Sequence, residues 1–164
     1  MNLSESIERV RSQVQNPLEC KEYENTNVKN NTNCFAYAIG ATFPEIKLYR
    51  LGLVSGEKAI DQEYYSTQEL VELMQKDLKV FGLKYEIISE EDIDFDIPNV
   101  YYIKLYAVIW ANGKIGDFHF IRGENGKWTE KRRYRSVAEL SGPNYYDTNF
   151  LYHKLATIKI TRSH

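Results

Sequence analysis

Side chains of the three types that acyl transfer through sulfur uses occur in this sequence: a cysteine, Cys34, a histidine, His119, and a carboxylate, Glu130 or Asp117. The thiolate is the nucleophile, so a reactive cysteine needs surroundings that lower its pKa. Asn33 is a good helix N-cap, and Cys34 follows it at the head of the apolar run Cys34-Phe35-Ala36-Tyr37-Ala38-Ile39. A helix start offers unpaired amides and a partial positive charge, which favours a thiolate and can hold a developing oxyanion. The Cys34 amide is the first candidate for that second task. Asn30, Asn31 and Asn33 lie just upstream as candidate side-chain donors.

The base must be a histidine, and the chain has three. His164 is terminal, and His153 is expected in a loop. His119 lies between Phe118 and Phe120 on an expected strand, where alternation puts Asp117, His119 and Ile121 on one face. An imidazole works best when a third group orients it. Two carboxylates compete for that role: Asp117, two residues away on the same face, and Glu130, on the expected partner strand with Thr129 and Lys131. Taken one at a time, each of these residues has a plainer use. A cysteine on an apolar helix packs as a small hydrophobe, and Glu130 beside Lys131-Arg132-Arg133 pairs with surface charge.

The elements that would position these residues follow from pattern. Ser4 to Gln15 is a short helix with Ile7, Val10 and Val14 on one stripe, stopped by Pro17. Residues 21 to 33 read as a polar loop. The Cys34 helix ends at Gly40 or Pro44. Leu48 to Gly56 is a strand or extended loop. Ser66-Thr67-Gln68-Glu69 is a capping box, and Leu70, Leu73, Met74, Leu78 and Phe81 recur at helical spacing up to Gly82. The period then changes to that of strands. Leu83 to Ile88 and Val100 to Trp110 flank an acidic turn. Asp117 to Arg122 and Lys127 to Arg133 form a hairpin about Asn125-Gly126, and Leu155 to Thr161 closes the chain. Helices followed by a meander of strands make an α+β domain, expected to span residues 1 to 164 as one unit.

Composition excludes other classes. The chain has 164 residues, 43% hydrophobic and 27% charged, so it is not a disordered polymer. Its 21 basic and 23 acidic residues nearly cancel, which gives no field for nucleic acid and makes Lys131 to Arg135 a solvated strand end. No apolar run reaches membrane-spanning length, and Met1 to Gln15 lacks a signal-peptide core, so a cytoplasmic protein, or one released by a non-classical route, is expected. Two cysteines exclude a disulfide scaffold, and their neighbours lack the spacing of a metal site. No metal or other cofactor is expected.

Two blocks carry a resemblance. Asn33-Cys34-Phe35-Ala36-Tyr37-Ala38 resembles the nucleophile helix of papain-like cysteine peptidases, especially their bacterial cell-wall peptidase branch. Asp117-Phe118-His119-Phe120-Ile121-Arg122, followed by Gly126-Lys127-Trp128-Thr129-Glu130-Lys131, resembles a block in small bacterial and phage proteins related to it. Those relatives carry His where this chain has Glu130. The resemblance implies a papain-like fold, with the nucleophile helix packed on an antiparallel sheet. It further implies hydrolysis of a peptide or amide through a thioacyl intermediate, with Cys34 as nucleophile, His119 as base and Glu130 as orienter. The other class to weigh is a non-catalytic binding or inhibitory module on the same fold, using its tyrosine clusters Tyr64-Tyr65, Tyr101-Tyr102 and Tyr145-Tyr146 as an aromatic surface. For Tyr101 and Tyr102, strand propensity and core packing are the simpler account.

Overall fold

The computed structural model describes residues 3–43, 51–57, 66–148 and 151–163. Among these residues four α-helices come first: α1 Leu3–Gln13, α2 Thr26–Asn31, α3 Cys34–Ile39 and α4 Thr67–Val80. Six strands follow: β1 Lys84–Ile88, β2 Val100–Ile109, β3 Ile115–Glu124, β4 Lys127–Glu130, β5 Ala138–Glu139 and β6 Tyr152–Thr161. They form one antiparallel sheet in the order β1-β6-β2-β3-β4-β5. The fold is therefore α+β. Among the described residues no helix is long and apolar enough to cross a membrane.

Local chemistry explains the boundaries. Asn33 Oδ1 accepts the Ala36 N–H and starts α3, and Gly40, at φ +80, ends it in the left-handed conformation. Ser66 Oγ accepts the Glu69 N–H and starts α4. Asn125 and Gly126, at φ +54 and +80, make the tight β3–β4 turn.

Several elements differ from the sequence expectations. Residues 21 to 33 are not a plain loop: a 3-10 turn spans Cys20–Glu24, and Asn25 caps α2 by accepting the Asn27 and Val28 N–H groups. The polar composition that suggests a loop is here that of a short capped helix without a buried face. The described part of the Leu48 to Gly56 stretch, residues 51 to 56, is turns rather than strand, and residues 48 to 50 lie outside the described residues. β4 stops at Glu130 instead of continuing to Arg133, and two-residue β5 has no period to detect. β6 starts at Tyr152, so His153 lies on a strand, paired with Ala107, and not in a loop.

The sheet buries both faces, and the two coverings are unlike. On one face Tyr101, Ile103, Leu105, Phe120, Ile158 and Ile160 pack against α1, α3 and α4 in the main core. On the other, Tyr102, Tyr106, Ile121, Trp128 and Tyr146 form a second cluster beneath the loops that carry Phe95 and Leu140. Tyr101 and Tyr102 are both fully buried, as core packing requires. Tyr64 and Tyr65 lie outside the described residues.

Candidate functional site

Cys34 is the first residue of α3 and is buried, in the helix-covered core. Its Sγ lies 4.0 Å from the Phe118 carbonyl oxygen. Phe118 and Phe120 flank His119, so the sulfur rests against β3 where the histidine leaves the chain. This contact exists because β4 pairs with β3 only as far as Arg122–Thr129. Beyond that point the edge of β3 is open, and the start of α3 packs there.

His119 emerges toward the opposite covering. Its ring centroid lies 5.1 Å from that of Tyr146 and 6.4 Å from that of Tyr152. Its Nε2 is 2.7 Å from Glu130 Oε1. Glu130 also accepts a hydrogen bond from the Tyr146 hydroxyl, and Arg132 Nε stands 3.8 Å from its Oε2. Arg132 in turn donates to Tyr146 Oη at 2.5 Å and Tyr152 Oη at 3.3 Å. The imidazole is thus held at Nε2. Among the described residues no hydrogen bond joins Sγ to the imidazole.

The electrostatics correct one expectation. The helix start does not lower the Cys34 pKa. Burial dominates and pushes the thiol up to about 12, with the Phe120 and Phe35 amides offsetting only part of it. α3 has six residues, and its partial charge is small against the loss of solvation. Burial also holds His119 below the usual imidazole value, against the pull of Glu130. Glu130 is lowered: the His119 and Tyr146 hydrogen bonds outweigh its own desolvation. The resting pair is a neutral thiol and a neutral imidazole beside a charged carboxylate.

The other sequence candidates take separate places. Asp117 is exposed, and its Oδ1 accepts the Phe118 N–H at 2.8 Å. Glu130, not Asp117, holds the imidazole. Asn33 Oδ1 is the α3 cap. Asn31 ends α2, and its amide donates back to the Asn27 carbonyl and side chain at 2.8 and 2.9 Å, so that side chain serves α2.

Lys131 is not a solvated strand end. It is fully buried, and its Nζ donates to the Lys29 and Thr32 carbonyls, both at 2.6 Å, and to that of Arg133. Burial brings its pKa down to about 8. Strand alternation puts Lys131 with Thr129, whose hydroxyl meets Tyr37 Oη of α3 at 2.6 Å, on the helix side, and Trp128, Glu130 and Arg132 on the other. Alternation was the available signal for this role, and the basic run Lys131-Arg132-Arg133 concealed it. Tyr146 and Arg132 also belong to the site: the sequence offers Tyr146 only within the Tyr145-Tyr146 cluster, as a surface aromatic, and nothing local sets Arg132 apart.

Among the described residues no group of three or more His, Cys, Asp or Glu side chains is placed to hold a metal ion. Comparison of the chain with family models, curated proteins and solved structures finds no match in any of the three, so a functional assignment rests on the geometry of these residues.

Proposed function

We propose that this protein is a papain-like cysteine hydrolase, a peptidase or amidase, with Cys34 as nucleophile, His119 as base and then acid, and Glu130 as the orienting carboxylate. The observation that carries the reading is the 2.7 Å contact of His119 Nε2 with Glu130 Oε1, on an imidazole whose own strand meets the Cys34 sulfur at the neighbouring Phe118 carbonyl. The resemblance of the two sequence blocks supports it from a separate direction.

The neutral resting pair favours a base-assisted attack over a preformed ion pair. For the reaction the start of α3 must shift, because Sγ rests in the helix-covered core and the imidazole on the other side of β3. As Sγ then bonds to the substrate carbonyl carbon, the thiol proton passes to Nδ1, and Glu130 stabilises the imidazolium through Nε2–H. The imidazolium then gives that proton to the leaving amine as the C–N bond breaks, leaving a thioester on Cys34. Water attacks the thioester with His119 again as base, and the acid and the free thiol are released. The Cys34 amide, in the first turn of α3, is the nearest donor for the oxyanion.

A second reading is a binding module without turnover. The burial of Cys34 and its thiol pKa near 12 favour it. One experiment separates the two: incubation with peptidyl electrophiles, such as acyloxymethyl ketones and vinyl sulfones, followed by peptide mapping. A hydrolase forms an adduct on Cys34 that His119→Ala slows by about 10²-fold or more. Adducts on Cys20 alone, or equal labelling of Cys34 in the His119→Ala protein, would leave the binding module.

A further inference from the structure

We propose that the surface depression walled by Glu130, Arg132, Arg135, Ser136, Tyr145 and Tyr146 is a carboxylate-binding subsite, with Arg135 as its principal ligand. Its meaning as a substrate subsite rests on the hydrolase reading above, whereas the binding itself does not.

The depression encloses about 280 Å³, room for one amino-acid side chain or a chain terminus. It shares Glu130 with the imidazole, so whatever occupies it borders the candidate catalytic network. Its two cations differ in how they are used. Arg132 is committed: it donates to Tyr146 and Tyr152, lies near Glu130, and stacks at 5.4 and 5.6 Å over the two tyrosine rings. Arg135 is exposed, and among the described residues its guanidinium has no ion-pair partner. The one acid in the wall, Glu130, is engaged by His119, Tyr146 and Arg132 together, and Glu24 at the rim meets Ser136, so Arg135 keeps its donors for a ligand. Ser136 Oγ stands at the rim, 3.3 Å from Glu24 Oε2, and can turn its hydroxyl to a ligand instead. Tyr145 is 50% exposed and packs edge-on against Tyr146 at 5.0 Å, which gives the depression an aromatic side.

A planar, singly charged group suits this arrangement. A guanidinium fork matches a carboxylate with two parallel hydrogen bonds, and the Tyr145 ring can cover an adjoining aliphatic stem. Glu130 in the wall disfavours a dianion such as a phosphate monoester. The carboxylate can come from a glutamate or aspartate side chain, or from a peptide C-terminus.

The test is binding without turnover, by NMR titration of the wild-type protein and of its Cys34→Ala variant. Three probes serve: N-acetylglutamate methylamide, with a side-chain carboxylate; N-acetylglutamine, with a main-chain carboxylate; and the neutral N-acetylglutamine methylamide. The expected result is that at least one charged probe shifts the Arg135, Ser136 and Tyr145 resonances, and which of them does identifies the source. Its affinity should exceed that of the neutral probe by about tenfold and fall by a similar factor in Arg135→Gln. Equal affinity for the neutral probe, no response to Arg135→Gln, or shifts confined to other residues would overturn the subsite. Charged-probe binding together with an inert Cys34 would instead end the hydrolase reading and leave the subsite standing.

Discussion

His119 and Glu130 sit on neighbouring antiparallel strands but are not cross-strand partners: the ladder between β3 and β4 ends at Arg122–Thr129, and Glu130 reaches back along β3 to place Oε1 2.7 Å from Nε2. The carboxylate thus fixes which imidazole nitrogen carries the proton. In Glu130→Ala that restraint is lost. ¹⁵N spectra should show a single Nε2–H tautomer in the wild type and a mixture in the variant. Under the hydrolase reading turnover falls by about 10²-fold in Glu130→Ala, and by less in Glu130→Gln, which keeps a hydrogen-bond acceptor. An unchanged tautomer in Glu130→Ala would show that other groups orient the ring.

The two cysteines should separate on alkylation. Cys20 is exposed, its sulfur 3.6 Å from Tyr37 Oη, whereas Cys34 is buried with its thiol pushed up to about 12. With a small, non-peptidyl reagent at about pH 8, mapping should find Cys20 modified first and Cys34 much more slowly. Fast modification of Cys34 would mean that its surroundings open readily in solution.

Asp77 of α4 predicts a pH dependence of stability. It is fully buried, its Oδ2 accepts the Gly52 N–H at 2.8 Å, and burial raises it to about 6 against the partial offset of Gly52 and Ser55. The folded state holds this proton more tightly than the unfolded chain. The contribution is therefore complete below about pH 4 and is lost as pH rises through about 6. Glu90, Glu124 and Glu130, all lowered, act in the opposite sense, so the difference from Asp77→Asn isolates this group. Urea unfolding should show the wild type losing on the order of 2 kcal/mol relative to that variant between about pH 4 and pH 7.

Lys131→Met should destabilise the fold by about 3 kcal/mol, because three carbonyls lose a charged donor inside the protein. The effect is one of anchoring. Lys131→Met should broaden the resonances of Thr32, Asn33 and Cys34 while leaving those of β1 and β6 sharp. A loss below about 0.5 kcal/mol would show that water replaces the ammonium without cost.

The sequence is most readable where one local rule acts alone. The Asn33 cap, the Ser66 capping box and the Asn125-Gly126 turn each follow from a few residues, and each stands where those residues put it. The helices-then-strands order is enough for an α+β fold with an antiparallel sheet. Residues 21 to 33 were harder, because one side chain, Asn25, turns a polar stretch into a helix. Alternation separated His119 from Phe118 and Phe120, but it could not tell whether Asp117 or Glu130 meets the ring. That choice depends on where β4 leaves β3. Nor could it foresee Lys131 buried within a basic run, since the carbonyls that hold it belong to Lys29 and Thr32, far away in sequence. The Cys34 pKa is a property of tertiary packing, which outweighs the helix-start effect that the local sequence suggests.

The Lys131 anchor also bears on the order of assembly. The carbonyl of Thr32, two residues before Cys34, is bonded to a residue 99 positions later in the chain. During synthesis, the thiol and the start of its helix are made long before the strand that secures them. Until the residues after β3 emerge, Cys34 lacks the Lys131 ammonium that helps hold its surroundings closed, and its thiol on an unfinished chain is open to solvent. Enclosure of Cys34 is therefore a late event in folding, set by contacts of long sequence separation and not by the helix that carries it.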